Sequence, residues 1–90
     1  MRMARRFLIR GRVQGVGFRV FTRDTARLEG TTGWVRNLSD GRVEAYVEGD
    51  AEAVVRVERA LRAGPRGARI ESVDALTEPP SGSFATFEVR

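Results

Sequence analysis

The order in which apolar residues change period along this chain is what most restricts its possible folds. Phe7, Ile9, Gly11 and Val13 alternate with Leu8, Arg10 and Arg12, the pattern of a strand with one buried face. Gln14-Gly-Val-Gly-Phe-Arg19 then interrupts the alternation with a glycine-bearing turn. From Phe18 onward, Phe21, Thr25 and Leu28 recur at helical spacing. That spacing predicts a helix of about ten residues, closed by Gly30 and Gly33. Trp34 to Leu38 and Val43 to Glu48 read as strands joined through a Ser39-Asp-Gly41 hairpin turn. A second helix is expected after Gly49, with Val54, Val57 and Leu61 on one face. Asp50 is its expected N-cap, Arg62 suits its last turn and Gly64-Pro65 stops it. Ile70 to Leu76 reads as a strand, Glu78-Pro-Pro-Ser-Gly82 as a loop, and Phe84 to Arg90 as a closing segment with Ala85, Phe87 and Val89 alternating.

This order is β-α-β-β-α-β with a short extra C-terminal strand. It is the split βαβ, ferredoxin-like plan, an α+β sandwich with one antiparallel sheet and both helices on one face. The 90 residues suffice for one domain, read as 1–90, and not for two. Many unrelated functions share this plan, so the residues must supply the function.

Composition removes whole classes of chemistry. The chain has no cysteine and no histidine, and all 16 of its basic residues are arginine. A disulfide framework, a thiolate nucleophile and a zinc ribbon are excluded. So are Ser-His pairs, phosphohistidine intermediates, Schiff bases and the lysine of a nucleotide-binding P-loop. The formal net charge of +4 favours anionic ligands. No apolar run is long enough to span a membrane. The basic Met1–Arg6 is followed only by Phe7-Leu8-Ile9 before Arg10, which is too short for the apolar region of a signal peptide. A cytoplasmic, monomeric protein is expected, with neither membrane nor nucleic acid as partner.

Two segments carry candidate chemistry. Gly15 and Gly17 let the backbone of Gln14, Gly15, Val16, Gly17, Phe18 and Arg19 take positive φ and approach a ligand closely. Successive amides in such a turn can form an anion-binding nest, to which the following helix adds its free N–H groups. Arg19 adds a planar, permanent charge, and a phosphate is the natural occupant. A plain strand-to-helix turn with a solvated arginine explains the same residues. Asn37, at the end of the second strand, can hold a water by donating and accepting hydrogen bonds without titrating. It can equally just initiate the Asn-Leu-Ser-Asp-Gly turn. Trp34 and Phe21 read as core, Asp40 as a turn residue, and Arg5, Arg6, Arg10 and Arg12 as a solvated edge.

Together these segments resemble the acylphosphatase family. Ile9-x-Gly11-x-Val13-Gln14-Gly15-Val16-x-Phe18-Arg19 fits its first motif. Gly33-Trp34-Val35-Arg36-Asn37-x-x-x-Gly41-x-Val43, with Gly49 beyond, fits its second. Gly64-Pro65 and Phe87-x-Val89 match further along, so the resemblance covers essentially the whole chain. It implies hydrolysis of the carboxyl-phosphate anhydride of an acyl phosphate to a carboxylate and inorganic phosphate, with no metal and no cofactor. It further implies that residues 14–19 cradle the phosphate, with Arg19 as the charged ligand, and that Asn37 orients the attacking water. A carboxylate leaves readily, so strong general-acid help is not required, and positioning plus charge stabilisation suffice. Glu29-Gly30-Thr31 stands where the family usually carries Leu-Gly-Leu, and Leu28 is expected to take over part of that packing. Leu38 stands where some relatives have threonine. The rival readings are an RNA-recognition module of the same strand order and a carbamoyl-phosphate-acting relative. The first needs aromatic residues on the open sheet face. Tyr46 there lies between Glu44 and Glu48, and Arg10 and Arg12 of the first strand, if that strand is its neighbour, would largely neutralise the carboxylates.

Overall fold

The computed structural model describes residues 1–90. It runs β1 (Arg2–Arg12), α1 (Phe18–Leu28), β2 (Thr32–Asn37), β3 (Val43–Asp50), α2 (Ala51–Ala63), β4 (Arg69–Glu78) and β5 (Phe87–Val89). The sheet order is β4-β1-β3-β2-β5. Alternation puts Phe7 and Ile9 of β1 opposite Ala45 and Val43 of β3. These residues, with Val35, Val47 and Phe87, form a floor on which Phe18 and Ala26 of α1 and Val54, Val57 and Leu61 of α2 pack. Phe21 packs against the same core, as expected.

The expected sheet is right for four strands, whose pairings are all antiparallel. The fifth differs, since β5 lies parallel to β2 with Gly33 opposite Phe87 and Val35 opposite Val89. The cause is the path of the chain. Glu78 ends β4 beside Ala4, at the same end of the sheet where β2 begins. The connection from 79 to 86 stays at that end and enters β5 in the direction of β2.

β1 begins at Arg2 rather than Phe7, and the polar stretch before Phe7 hides it. It is also an interior strand, which corrects the reading of its arginines as a solvated edge. Arg5 pairs with Glu58 of α2. Arg6 reaches Glu44 at 3.1 Å and Glu78 at 2.6 Å. The open-face Glu44 is thus paired by Arg6 and Arg36, and not by Arg10 or Arg12 as expected. Arg10 and Arg12 alone of the four are exposed.

Both helix ends depart from expectation. The buried stripe of α1 is Phe18, Thr22 and Ala26, so Leu28 falls on the far side and is 86% exposed. Leu28 replaces neither missing leucine. Thr31 takes the buried position of the second. Gly30, at φ 74, turns the chain, and the Thr31 and Gly30 amides donate to Ala26 and Arg27 at 2.9 and 3.0 Å, a Schellman closure. The Thr31 hydroxyl, itself buried, also donates to the Ala26 carbonyl at 2.9 Å. Asp50 precedes α2 but its side chain makes no capping bond. The Met1 carbonyl instead accepts from the Ala51 amide at 2.7 Å, and the Asp50 carboxylate faces the N-terminal ammonium at 3.5 Å.

Trp34 is buried, though in a smaller cluster on the open face with Ala4 and Tyr46, where Phe84 covers it. Trp34 and Tyr46 stack with centroids 6.2 Å apart. The connection after β4 is tied over this cluster by Glu48. Its carboxylate accepts from the Tyr46 hydroxyl at 2.8 Å, the Ser81 amide and hydroxyl at 2.9 Å and the Gly82 amide at 2.7 Å. Burial alone would push this carboxyl up, yet those donors together hold it down at about 2. A carboxyl depressed on folding stabilises the fold above its unfolded value and loses that contribution as pH falls through the folded one. The stability gap between the native chain and Glu48→Gln is therefore expected to be full at pH 6 and to shrink between about pH 4.5 and 2. Unfolding midpoints of both proteins across that range check it; a gap that stays constant would mean the carboxylate is not the tie.

Candidate active site

The end of the sheet opposite this connection holds the candidate site. β1 runs into residues 14–17, where Gly15 and Gly17 take φ 75 and 78. A side chain at either position would meet nothing within 4 Å, so backbone conformation and not lack of room calls for glycine. The amides of Gly15, Val16 and Gly17 donate to no backbone carbonyl. The first helical hydrogen bond of α1 runs from Phe21 to Gly17 at 3.0 Å, leaving the preceding amides of that turn without helical acceptors. No acidic residue stands in this first turn to offset the positive end of the helix dipole.

Arg19 projects from the same turn. Its Nη1 donates to the Arg90 backbone oxygen at 3.2 Å. The Arg90 amide is held on the Val35 carbonyl at 2.8 Å, and its guanidinium lies 4.9 Å from the Trp34 ring centre.

Asn37 closes β2 opposite Val43. The hairpin that follows is built without its side chain. Leu38 and Arg42 close it through N–H to carbonyl at 2.8 Å, and Asp40 accepts from the Arg42 amide and Nε at 3.1 and 2.9 Å. Asp40 is thus the turn residue it was expected to be. The Asn37 Oδ1 is buried and has no hydrogen-bond partner in the protein. An orphaned buried acceptor costs free energy unless something donates to it.

Gly15, Gly17, Phe18, Arg19 and Asn37 meet around one cleft of about 180 Å³, together with Val13, Val20 and Val89. None of these lining residues is acidic. Two residues of the expected cradle are not in the lining. Val16 packs toward the core. Gln14 turns its side chain away, and its Nε2 donates to the carbonyls of Leu38 at 2.8 Å and Arg42 at 3.0 Å. Leu38, the departure from threonine, contributes here through backbone groups that any residue type supplies. Val13, Val20 and Val89 were not singled out as site residues. Val13 ends the first alternation and Val89 sits in the closing motif, so both had a signal. Val20 had none.

An α+β sandwich with this element order and both helices on one face of the sheet belongs to the class of ferredoxin-like domains. The acylphosphatase family model matches residues 5–89. The acylphosphatase of Rubrobacter xylanophilus is 53% identical over 85 residues, covering 94% of this chain and 77% of that protein. That of Anaeromyxobacter dehalogenans is 47% identical over 89 residues, covering 99% and 96%. The crystal structure of acylphosphatase from Bacillus subtilis superposes with a TM-score of 0.94 at 31% identity, over 98% of both chains. The chain belongs to the acylphosphatase family, hydrolases that act on acyl phosphates.

Proposed function

We propose that the cleft takes the phosphoryl end of a small acyl phosphate. Residues 14–19 enclose it, the amides of Gly15 to Phe18 and the Arg19 guanidinium face its oxygens, and Asn37 holds the attacking water. The observation that carries this reading is the convergence of Arg19, the glycine turn and Asn37 on one cleft. A water held by the Asn37 side-chain amide keeps a lone pair for phosphorus. As the water oxygen bonds to phosphorus, the bond to the acyl oxygen breaks and its electron pair leaves on the carboxylate. The water's protons pass to phosphate oxygens and solvent, and inorganic phosphate and a carboxylate remain. Charge spread over the phosphoryl oxygens meets donors that are already in place.

The reading includes a monomer that works in the cytoplasm without metal, cofactor or nucleic acid. A guanidinium with no carboxylate in the lining suits an anion better than a cation. No helix is long and apolar enough to cross a membrane. Tyr46, the open-face aromatic an RNA would need, is only 4% exposed beneath Phe84. Purified protein is expected to hydrolyse benzoyl phosphate at the same rate with and without a metal chelator. Loss of activity in chelator with recovery on added Mg²⁺ would overturn the metal-free reading. No hydrolysis under either condition would overturn the site.

A further inference from the structure

Gln14 stands in the expected phosphate cradle, yet its side chain bonds elsewhere. Its Nε2 spans the two carbonyls at the base of the β2–β3 hairpin, Leu38 at 2.8 Å and Arg42 at 3.0 Å. Neither carbonyl needs it for satisfaction. Leu38 also accepts from the Gly41 amide at 3.2 Å, and Arg42 from the Leu38 amide at 2.8 Å. The two bonds therefore add something beyond pairing of buried groups, namely a tie between two pieces of chain far apart in sequence. On one side is the first residue of the glycine turn. On the other is the residue immediately after Asn37.

We propose that Gln14 is a positioning residue, which sets the Asn37 amide at its working distance from the phosphoryl group by clasping the hairpin to the glycine turn. The inference rests on Asn37 holding the attacking water. The anion's own ligands, Arg19 and the amides of residues 15–18, come from the turn and α1 and do not pass through the clasp. Asn37 comes from the far side of the cleft, and β2 ends at it. Its distance from the turn is therefore fixed by whatever joins turn and hairpin. Gln14 is the only side chain that hydrogen-bonds from residues 14–18 to residues 37–42.

Gln14→Met keeps the length and volume and removes both donors. Because both carbonyls keep a backbone donor, the variant is expected to fold, and its unfolding midpoint reports whether it does. Turnover of benzoyl phosphate is expected to fall about tenfold, since small misplacements of a reacting group cost up to about a hundredfold. The inhibition constant for inorganic phosphate should be unchanged. Placed on Asn37→Ala, Gln14→Met should cost nothing further, because the residue it positions is gone. Gln14→Lys, whose ammonium can donate to both carbonyls, should recover most of the lost turnover. Full turnover in folded Gln14→Met would overturn the proposal. So would a phosphate inhibition constant that rises with the loss of turnover, or an undiminished loss on the Asn37→Ala background. Normal turnover in Asn37→Ala itself would overturn the underlying reading of the water, and that single variant separates the two failures.

Discussion

Arg19→Gln is expected to weaken inhibition by inorganic phosphate and to lower kcat/KM for an acyl phosphate in the same protein. Phosphate charge is present in substrate, transition state and product, so the guanidinium contact acts at every stage. Losing a hydrogen-bonded contact between the guanidinium and phosphate costs about 1.5–3 kcal/mol, or roughly 10- to 150-fold in kcat/KM. Stability should barely move, because Arg19 is exposed and its hydrogen bond within the protein is a single one to the Arg90 backbone oxygen. Arg19→Lys should recover only part of the loss, since a point charge cannot reproduce two parallel N–H donors. Steady-state kinetics, phosphate competition and a thermal melt on each variant test this. Near wild-type efficiency in folded Arg19→Gln would remove Arg19 from the site.

The fold was legible because its core-facing residues keep strict periods. Phe7 and Ile9, Val43, Ala45 and Val47, and Val54, Val57 and Leu61 are all buried where alternation or helical spacing put them. The failures occur where partners distant in sequence decide. Arg5 and Arg6 look like a solvated edge until Glu58, Glu44 and Glu78 are brought beside them. The start of β1 was hidden for the same reason, since its polar residues are paired and not solvated. Asp50 has the right chemistry for an N-cap, but its carboxylate faces the N-terminal ammonium that the β1–β3 pairing brings beside it. Leu28 has the right hydropathy for the core, yet it lies two residues past Ala26 and so points away from it. Thr31 wins the position because a Schellman turn brings its backbone back to the helix.

The two motifs mark the elements that line the cleft, and its lining side chains less completely. Glycines at 15 and 17 and the charge at 19 were readable, because positive φ and a permanent cation are intrinsic to those residue types. Gln14 shows what spacing cannot supply. An amide side chain one residue before the glycines suggests a ligand contact, whereas its direction is set by carbonyls of Leu38 and Arg42, more than 20 positions away. Val20 could not be found from sequence at all. It follows Arg19 on an exposed helix face and lines the cleft only once β5 lies alongside α1.

Asn37→Ala is expected to leave phosphate inhibition nearly intact while turnover falls by about a hundredfold or more. The two halves of the cleft come from different elements, and that is why the effects should separate. On the proposed reading, Arg19 and the amides of the glycine turn hold the anion in ground state and transition state alike. Asn37 stands apart from them at the end of β2, and its Oδ1 is buried with no protein donor. Its proposed contribution is to hold the water in line with the departing carboxylate, which is felt only as the new bond forms. The competing role, initiating the hairpin turn, makes the opposite forecast. It requires stability to fall by about 1 kcal/mol while each folded molecule keeps its rate. The geometry already weighs against that forecast, because the turn is closed by Leu38, Arg42 and Asp40 without the Asn37 side chain. Removing a buried acceptor that lacks a protein partner should leave the unfolding midpoint unchanged or slightly raised. Asn37→Asp extends the test, since it keeps the acceptor but sets a negative charge facing the phosphoryl oxygens and should weaken phosphate inhibition as well as turnover. A lowered midpoint with normal turnover in Asn37→Ala would return this residue to the turn.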